Sequence, residues 1–381
     1  MKKQKICIIG GGLTGLVTAI TLSKLSCEID LVVKNTKKIK SNRTIAVSEN
    51  NFNFLNKINI SPSFKKSMWP SSIMKLYTEN TNKKFSEIFE LNYHNKQKKI
   101  LYMLENSKMI KLMLNKIKKI KNISFKNYQK TCDIFTSGLL KNVKIDSKNF
   151  KYNLVIICTG SDSGLVKKIF KEKIIENSYQ EVSITTILKH KSIKNNTSRQ
   201  FFLDKEILAL LPISNTKTSI VWSVKKDIKK NSDLYAKNKI KFYVKNYLKE
   251  ITFASKIERK ELSFLIRNKY FKDRILLFGD ALHVIHPFVG QGFNMTLRDL
   301  TFLEKLLARR INLGLDIGSK DILSEFSESI KPRNFAFSMG VNVLKNSFSY
   351  KKIRNDALKI LNKSNFAKDI FFNIADKGLK F

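Results

Sequence analysis

Acidic residues, cysteines and histidines are scarce in this chain, and long uncharged apolar runs are absent. The 31 Asp and Glu face 72 Lys and Arg, a formal charge of +41. A nucleic acid or an anionic membrane is the natural counterpart of such a surplus. Yet Lys, Asn and Ile are abundant along the whole chain, with no basic tail or isolated patch. That spread suits a general compositional bias, and no nucleic acid is expected. The four cysteines, Cys7, Cys27, Cys132 and Cys158, show no CxxC spacing. Cys7 and Cys158 fall in apolar runs, so buried free thiols in a reducing compartment are expected. No stretch reaches the roughly 18–20 apolar residues of a membrane span. Among the four histidines, His283 and His286 form an HxxH pair. No carboxylate or cysteine completes it and it falls in a turn, so no metal is expected. His94 and His190 carry no motif and are expected at the surface.

At 381 residues the chain exceeds a usual single domain, and 43% hydrophobic residues suffice for a sizeable core. Lys5–Ile9 reads as a buried strand, Leu13–Lys24 as a helix and Ile29–Val33 as a parallel strand, a βαβ unit. MKKQK before an apolar run imitates a secretory signal, but glycines interrupt that run at nucleotide-binding spacing. A cytoplasmic location is therefore expected. Lys108–Lys119 carries a helical face and Leu154–Ile157 reads as another buried strand. From Glu181 to Val224 the period changes to two, with Val182, Ile184 and Thr186 alternating. Ile207–Ile213 and Thr218–Val224 read as a hairpin. Asp233–Ile251 returns to helix, Arg274–Phe278 to strand, Gly292–Arg310 to helix, and residues 321–381 read as helices.

Gly10-Gly11-Gly12-Leu13-Thr14-Gly15 satisfies GxGxxG between a strand and a helix. Gly10 permits the turn, Gly12 lets the backbone approach a pyrophosphate, and Gly15 allows close helix–strand packing. The helix start then offers free N–H groups to phosphates. The acid expected at the end of the second strand is missing, and Lys34 stands there instead. The fingerprint alone therefore leaves FAD and NADP open.

A second signature lies at Arg274–Asp299. Asp280 follows a buried strand, where a carboxylate suits ribityl hydroxyls. Gly290 and Gly292 let backbone approach a planar ring, and the helix that follows points its N–H groups there. The order Gly279-Asp280-Ala281-x-His283-x-x-x-Pro287-x-x-Gly290-Gln291-Gly292-x-Asn294 resembles the flavin motif of the aromatic-ring (class A) flavoprotein monooxygenases. With Leu297-Arg298-Asp299 it is most similar to the ubiquinone-biosynthesis hydroxylases. Arg43-Thr44-Ile45-Ala46-Val47-Ser48 is similar to that family's arginine-containing segment, where the arginine lies near FAD. Leu208–Ile213 with Ser219–Trp222 resembles its substrate-domain hairpin, and the tail with Arg333 and Gly340 also fits. The likeness spans nearly the whole chain.

The resemblance implies a Rossmann-like α/β FAD-binding domain with an inserted antiparallel β-sheet substrate domain and a helical C-terminal region. Residues 1–70, 98–178 and 263–312 would form the FAD-binding domain. Residues 71–97 and 179–262 would form the substrate domain, and 313–381 the helical end. It implies FAD as cofactor, with NAD(P)H or a ferredoxin-type system as electron donor. Gly10, Gly12, Gly15, Arg43, Gly279, Asp280, Pro287, Gly290, Gly292 and Asn294 would hold the cofactor, and His283 is the weak candidate for proton handling. The substrate would be a polyprenylated phenol, hydroxylated with O2 on the route to ubiquinone.

Departures accompany the likeness: Thr159 replaces the Asp of the family's Asp-Gly pair, Val166 or Lys167 its later Arg, and Ser107 a further Arg or Gln. Each lost charge-assisted bond costs roughly 1.5–3 kcal/mol. An accessory, non-catalytic member of a quinone-biosynthesis complex is therefore the rival reading, and a polyprenyl reductase a second. A flavin halogenase is disfavoured, since no Trp-x-Trp-x-Ile-Pro motif occurs. Phe201, Phe202 and Trp222 read as a substrate pocket or as core. Lys345, Lys351, Lys352 and Arg354, with Phe348, Tyr350 and Ile353, read as an anionic-membrane surface or as a solvated helix face. The first of these implies peripheral attachment at the inner membrane.

Overall fold

A computed structural model of the chain describes residues 3–34, 41–80, 84–93, 98–130, 132–172, 174–226, 232–287, 290–347 and 350–379. His94, Asn35 and Phe348 lie outside them.

Short apolar runs with no polar alternation need cover on both faces, and a parallel sheet supplies it. Gln4–Ile9, Cys27–Lys34, Leu154–Ile157, Ile275–Leu277 and Ile123–Tyr128 pair in parallel, and Phe271–Lys272 adds an antiparallel edge. All four residues of Leu154–Ile157 are fully buried. The Leu13–Leu22 and Gln291–Asn312 helices cover the sheet, burying Leu16, Ile20, Leu300 and Leu307 in the same core. A three-stranded meander, Cys132–Tyr152, packs beside it, and Tyr152 donates to Asp30 at 2.7 Å.

The alternating segments build a nine-stranded sheet. Its centre is the long Ile174–Lys189 strand, flanked by the Lys217–Lys225 and Glu258–Arg267 strands. Residues Val182, Ile184, Ile220 and Trp222 face one way, against the Asp233–Val244 helix. The opposite face carries Phe202, Phe264 and Ile266 and meets Ala46, Met295, Phe337 and Phe372. Ile73–Glu79 and Phe85–Asn92 extend this sheet, so residues from early in the chain complete it. Three helices, Lys320–Ser347, Lys351–Lys363 and Asn365–Lys377, close the structure. Pro332 lies inside the first of them.

The helix after Asp233 is shorter than its periodicity predicts, ending at Val244. His190 is not a surface residue. It is 4% exposed, with Nδ1 at 2.8 Å from the Lys191 carbonyl and Nε2 at 2.9 Å from Thr218 Oγ1. A histidine without a motif thus ties the end of the central strand to its neighbour. His190→Ala is expected to destabilise the protein by about 2 kcal/mol, because it removes two buried hydrogen bonds and leaves Thr218 Oγ1 with Asn195 alone. The urea midpoint checks this, and an unchanged value would contradict the structural role.

Candidate functional site

The first strand ends at Ile9, and the next six residues turn sharply. Gly10 has φ +131°, and a Cβ there would lie 2.5 Å from the Cys158 carbonyl oxygen. A Cβ on Gly15 would lie 1.9 Å from the Gly10 oxygen. Both positions therefore exclude any side chain. Gly12 differs, since a Cβ there would meet nothing within 4 Å. It caps the Leu13–Leu22 helix without a side-chain bond, and no acid occupies the first turn. The helix start thus has an open side and unclaimed N–H groups, an arrangement receptive to phosphate.

The second motif locks onto the first. Gly279 has φ +63°, and a Cβ there would lie 2.6 Å from the Thr14 methyl. This approach sets Asp280 beside the glycine loop, exposed on a short 3-10 turn. Buried Arg267 anchors the turn by donating from Nε to the Ala281 carbonyl at 2.8 Å. The chain then crosses to the nine-stranded sheet, where His283 and Val284 pair with Ile266 and Leu265. Pro287 follows, exposed. Gly290, left-handed at φ +67°, caps the Gln291–Asn312 helix, and a Cβ there would come within 3.0 Å of Ala46. A Cβ on Gly292 would meet open space.

Asn294 is fully buried and wholly engaged within the protein. Its Nδ2 donates to the carbonyls of Ala46 (2.9 Å) and Gly290 (3.1 Å), while Oδ1 accepts from Ser48 N–H and Asn51 Nδ2, each at 3.0 Å. It fixes the helix start against the Thr44–Ser48 strand. Arg43 directly precedes that strand, exposed, and its carbonyl accepts from the Asn106 N–H at 2.8 Å. Arg43 and Ser107 are therefore neighbours. At the end of the second strand, Lys34 is exposed, and the Val32 carbonyl accepts from Gly10 N–H at 2.9 Å. Thr159 follows the Cys158 carbonyl that presses on Gly10, and its buried Oγ1 has no partner. Gln291 Oε1 is likewise buried and unpartnered.

The two motif histidines diverge. His283 Nε2 lies 3.2 Å from Asp299 Oδ2, which also accepts from Asn334 Nδ2 at 2.8 Å. This pair sits between two helices, below the turn. His286 Nε2 lies 3.2 Å from Glu181 Oε2, and Lys345 Nζ lies 2.6 Å from Glu181 Oε1. Sequence reading missed this cluster, because its members come from three distant segments. The one local signal was a glutamate at the start of the alternating stretch Glu181–Thr186. Lys345 and Arg354 do not form an outward basic face. Arg354 is 4% exposed, donates to Thr78 at 2.6 Å and lies over the Phe202 ring. Burial pushes its guanidinium down to about 10. No group of three or more metal-ligating side chains occurs among the described residues.

The contrast between the glycines is testable. Gly15→Ala is expected to lose at least ~3 kcal/mol of stability. Gly12→Ala should fold within ~1 kcal/mol of the parent and weaken FAD binding about tenfold or more. Thermal melts beside flavin fluorescence titration separate the two effects, and equal destabilisation would contradict the open side assigned to Gly12.

The chain is similar in sequence and in fold to known proteins. Ubiquinone biosynthesis monooxygenase COQ6, mitochondrial, of Dictyostelium discoideum is 23% identical over 457 residues, covering 99% of this chain and 92% of that protein. The ubiquinone hydroxylase UbiL of Rhodospirillum rubrum is 27% identical over 188 residues, covering 45% of this chain and 41% of that one. The human COQ6 match covers 52% of that protein, about half its length. Among solved structures, p-nitrophenol 4-monooxygenase PnpA of Pseudomonas putida superposes with TM-score 0.79 at 14% identity over the whole of both chains. Klebsiella pneumoniae HpxO, complexed with FAD and uric acid, gives 0.77 at 15%, covering 98% of this chain and 97% of that one. These structures share the fold. The family model described as FAD binding domain matches residues 3–332, most of the chain, and the chain belongs to that family.

Proposed function

We propose that the protein is an FAD-dependent monooxygenase that hydroxylates the ring of a polyprenylated phenol in ubiquinone biosynthesis. The observation that carries this reading is the junction of the two motifs at Thr14 and Gly279, with open space at Gly12 and Gly292. Gly10, Gly12 and Gly15 cradle the pyrophosphate, and Asp280 accepts from the ribityl chain. Arg43 lies near FAD, Pro287 borders the ring, and Gly290 and Gly292 admit its pyrimidine edge. Asn294 acts one step back, by holding that helix start in place. Residues 1–70, 98–178 and 263–312 serve the cofactor, 71–97 and 179–262 the substrate, with 313–381 as the helical end. The orphaned Thr159 Oγ1 and Gln291 Oε1 fit a polar group that binds beside them. Bound FAD supplies the oxygen chemistry; the chain orients the ring, excludes water and stabilises charge at the helix start.

A small apolar cavity of 20 Å³ lies beside Gln291, between Met74 and Leu91 of the sheet and Phe371 and Phe372 of the last helix. That volume is about what one water molecule needs, far short of a polyprenylated ring. No helix among the described residues is long and apolar enough to cross a membrane. On the last helix, however, Phe366, Ile370 and Ile374 are 76%, 45% and 37% exposed at i, i+4 and i+8. Exposed Lys363 and Lys377 flank them. This stripe, rather than Lys345 and Arg354, is the surface we assign to an anionic bilayer, on the cytoplasmic side of the inner membrane.

An accessory member of a quinone-biosynthesis complex is the second reading, favoured by Thr159 and Ser107 where charge is absent. Purified protein decides between them. A flavin spectrum and O2-dependent hydroxylation of a polyprenyl phenol are expected; a colourless protein that ignores added FAD overturns the enzyme. Lys34→Glu is expected to tighten FAD about tenfold, by giving the ribose hydroxyl an acceptor. Unchanged affinity would remove Lys34 from the ribose. Replacing Phe366, Ile370 and Ile374 by Ser should weaken sedimentation with phosphatidylglycerol vesicles at least ~tenfold at raised salt, where residual binding is apolar. Binding equal to the parent would remove the stripe from the bilayer.

A further inference from the structure

We infer that His286, oriented by Glu181, accepts the proton of the substrate's phenol hydroxyl; the inference rests on the aromatic-hydroxylase reading above. His286 is 1% exposed and directly precedes Pro287. It stands where three elements meet: the motif turn, the central strand of the large sheet and the Lys320–Ser347 helix. A bulge places the strand's contribution. Gln180 has φ +52°, and the pairing of this strand with Glu258–Arg267 shifts between Ser178 and Glu181. Both Tyr179 and Glu181 are thereby brought to His286, since bulges re-aim side chains. The Tyr179 ring lies edge-on to the imidazole, with centroids 5.1 Å apart. Tyr179 also donates to Asn342 at 3.1 Å.

The tautomer follows from the partners. A carboxylate offers only acceptors, so Nε2 carries the hydrogen and Nδ1 keeps its lone pair. That Nδ1 is buried and has no partner in the protein. A buried acceptor left unpaired is costly, and a ligand hydroxyl would satisfy it. The charged groups facing His286 are Glu181 and Lys345, with the Tyr179 hydroxyl beside them. Burial pulls the His286 pKa down, against the bond to Glu181, so the imidazole is neutral and ready to accept. Burial alone would raise Glu181, but bonds from His286 and Lys345 hold its carboxyl below the usual range. The cluster is thus neutral at rest and gains one positive charge as the phenolate forms beside it.

In the step itself the phenol O–H bond breaks, its electron pair stays on oxygen, and an Nδ1–H bond forms. The oxygen's electrons then make the ring carbon nucleophilic. The hydroxyl comes from O2, whose O–O bond breaks and whose second oxygen leaves as water with two electrons from the donor. The ring carbon then loses its proton to water, and Nδ1–H returns its own to the phenol oxygen. His283 shares the pattern, with Nε2 at 3.2 Å from Asp299 Oδ2 and a buried Nδ1 without a partner, but its carboxylate is shared with Asn334 where that of His286 is shared with Lys345.

The test uses 4-nitrophenol, whose ionised and neutral forms absorb differently, titrated into the FAD-loaded oxidised enzyme without a reductant. Flavin absorbance reports loading in every variant. The parent is expected to bind the probe as phenolate at a pH where the free probe is mostly neutral. His286→Gln and Glu181→Gln should each raise the apparent pKa of the bound probe by at least ~1 unit, a tenfold change. With native substrate, kcat should fall about a hundredfold in His286→Gln while KM moves little. Equal ionisation of the bound probe in the parent and both variants overturns the proposal. So does a shift in His283→Gln that His286→Gln lacks. Failure of the parent to hydroxylate any polyprenyl phenol would instead overturn the function, not the base.

Discussion

Gly279 lies so near Thr14 that no side chain fits between them, and this close approach sets everything at the site. It fixes where the Ile275–Leu277 strand ends relative to the glycine loop, and so where Asp280 stands. A glycine in the left-handed region is needed twice over, for the turn and for the space. From that point the chain has one short route to the large sheet. Arg267 holds the turn by its carbonyl, and Asn294 pins the helix that follows. The order of residues in the motif is the order of these mechanical tasks.

Much of the core was legible because parallel strands carry an unmistakable signal. Leu154–Ile157 has apolar residues and nothing else, and its observed limits match the expected ones. The hairpin from Ile207 to Lys225 was equally clear, since alternating residues face the Asp233–Val244 helix. The Cys132–Tyr152 meander was missed. Its second and third strands are rich in Lys and Asn, and the first is half exposed with no buried residue, so they lack a clean period.

The candidate site divides in the same way. Glycines that admit no Cβ leave a local signature, and Gly10, Gly15, Gly279 and Gly290 were all named from sequence. Side chains that meet across the fold leave none. Glu181, His286 and Lys345 are brought together by sheet pairing and by a helix far along the chain. His190 was invisible for the same reason. The lysine surplus concealed Lys345 most effectively, for one buried cation cannot be picked out among so many solvated ones.

The His283–Val284 pairing with the Glu258–Arg267 strand makes the motif turn an edge of the large sheet as well as an exit from the parallel one. The two sheets therefore share a piece of covalent chain rather than merely touching. No single cut in the sequence leaves the whole parallel sheet in one fragment and the whole nine-stranded sheet in the other. A disturbance in the large sheet can reach the motif turn through backbone hydrogen bonds, without needing any side chain to relay it.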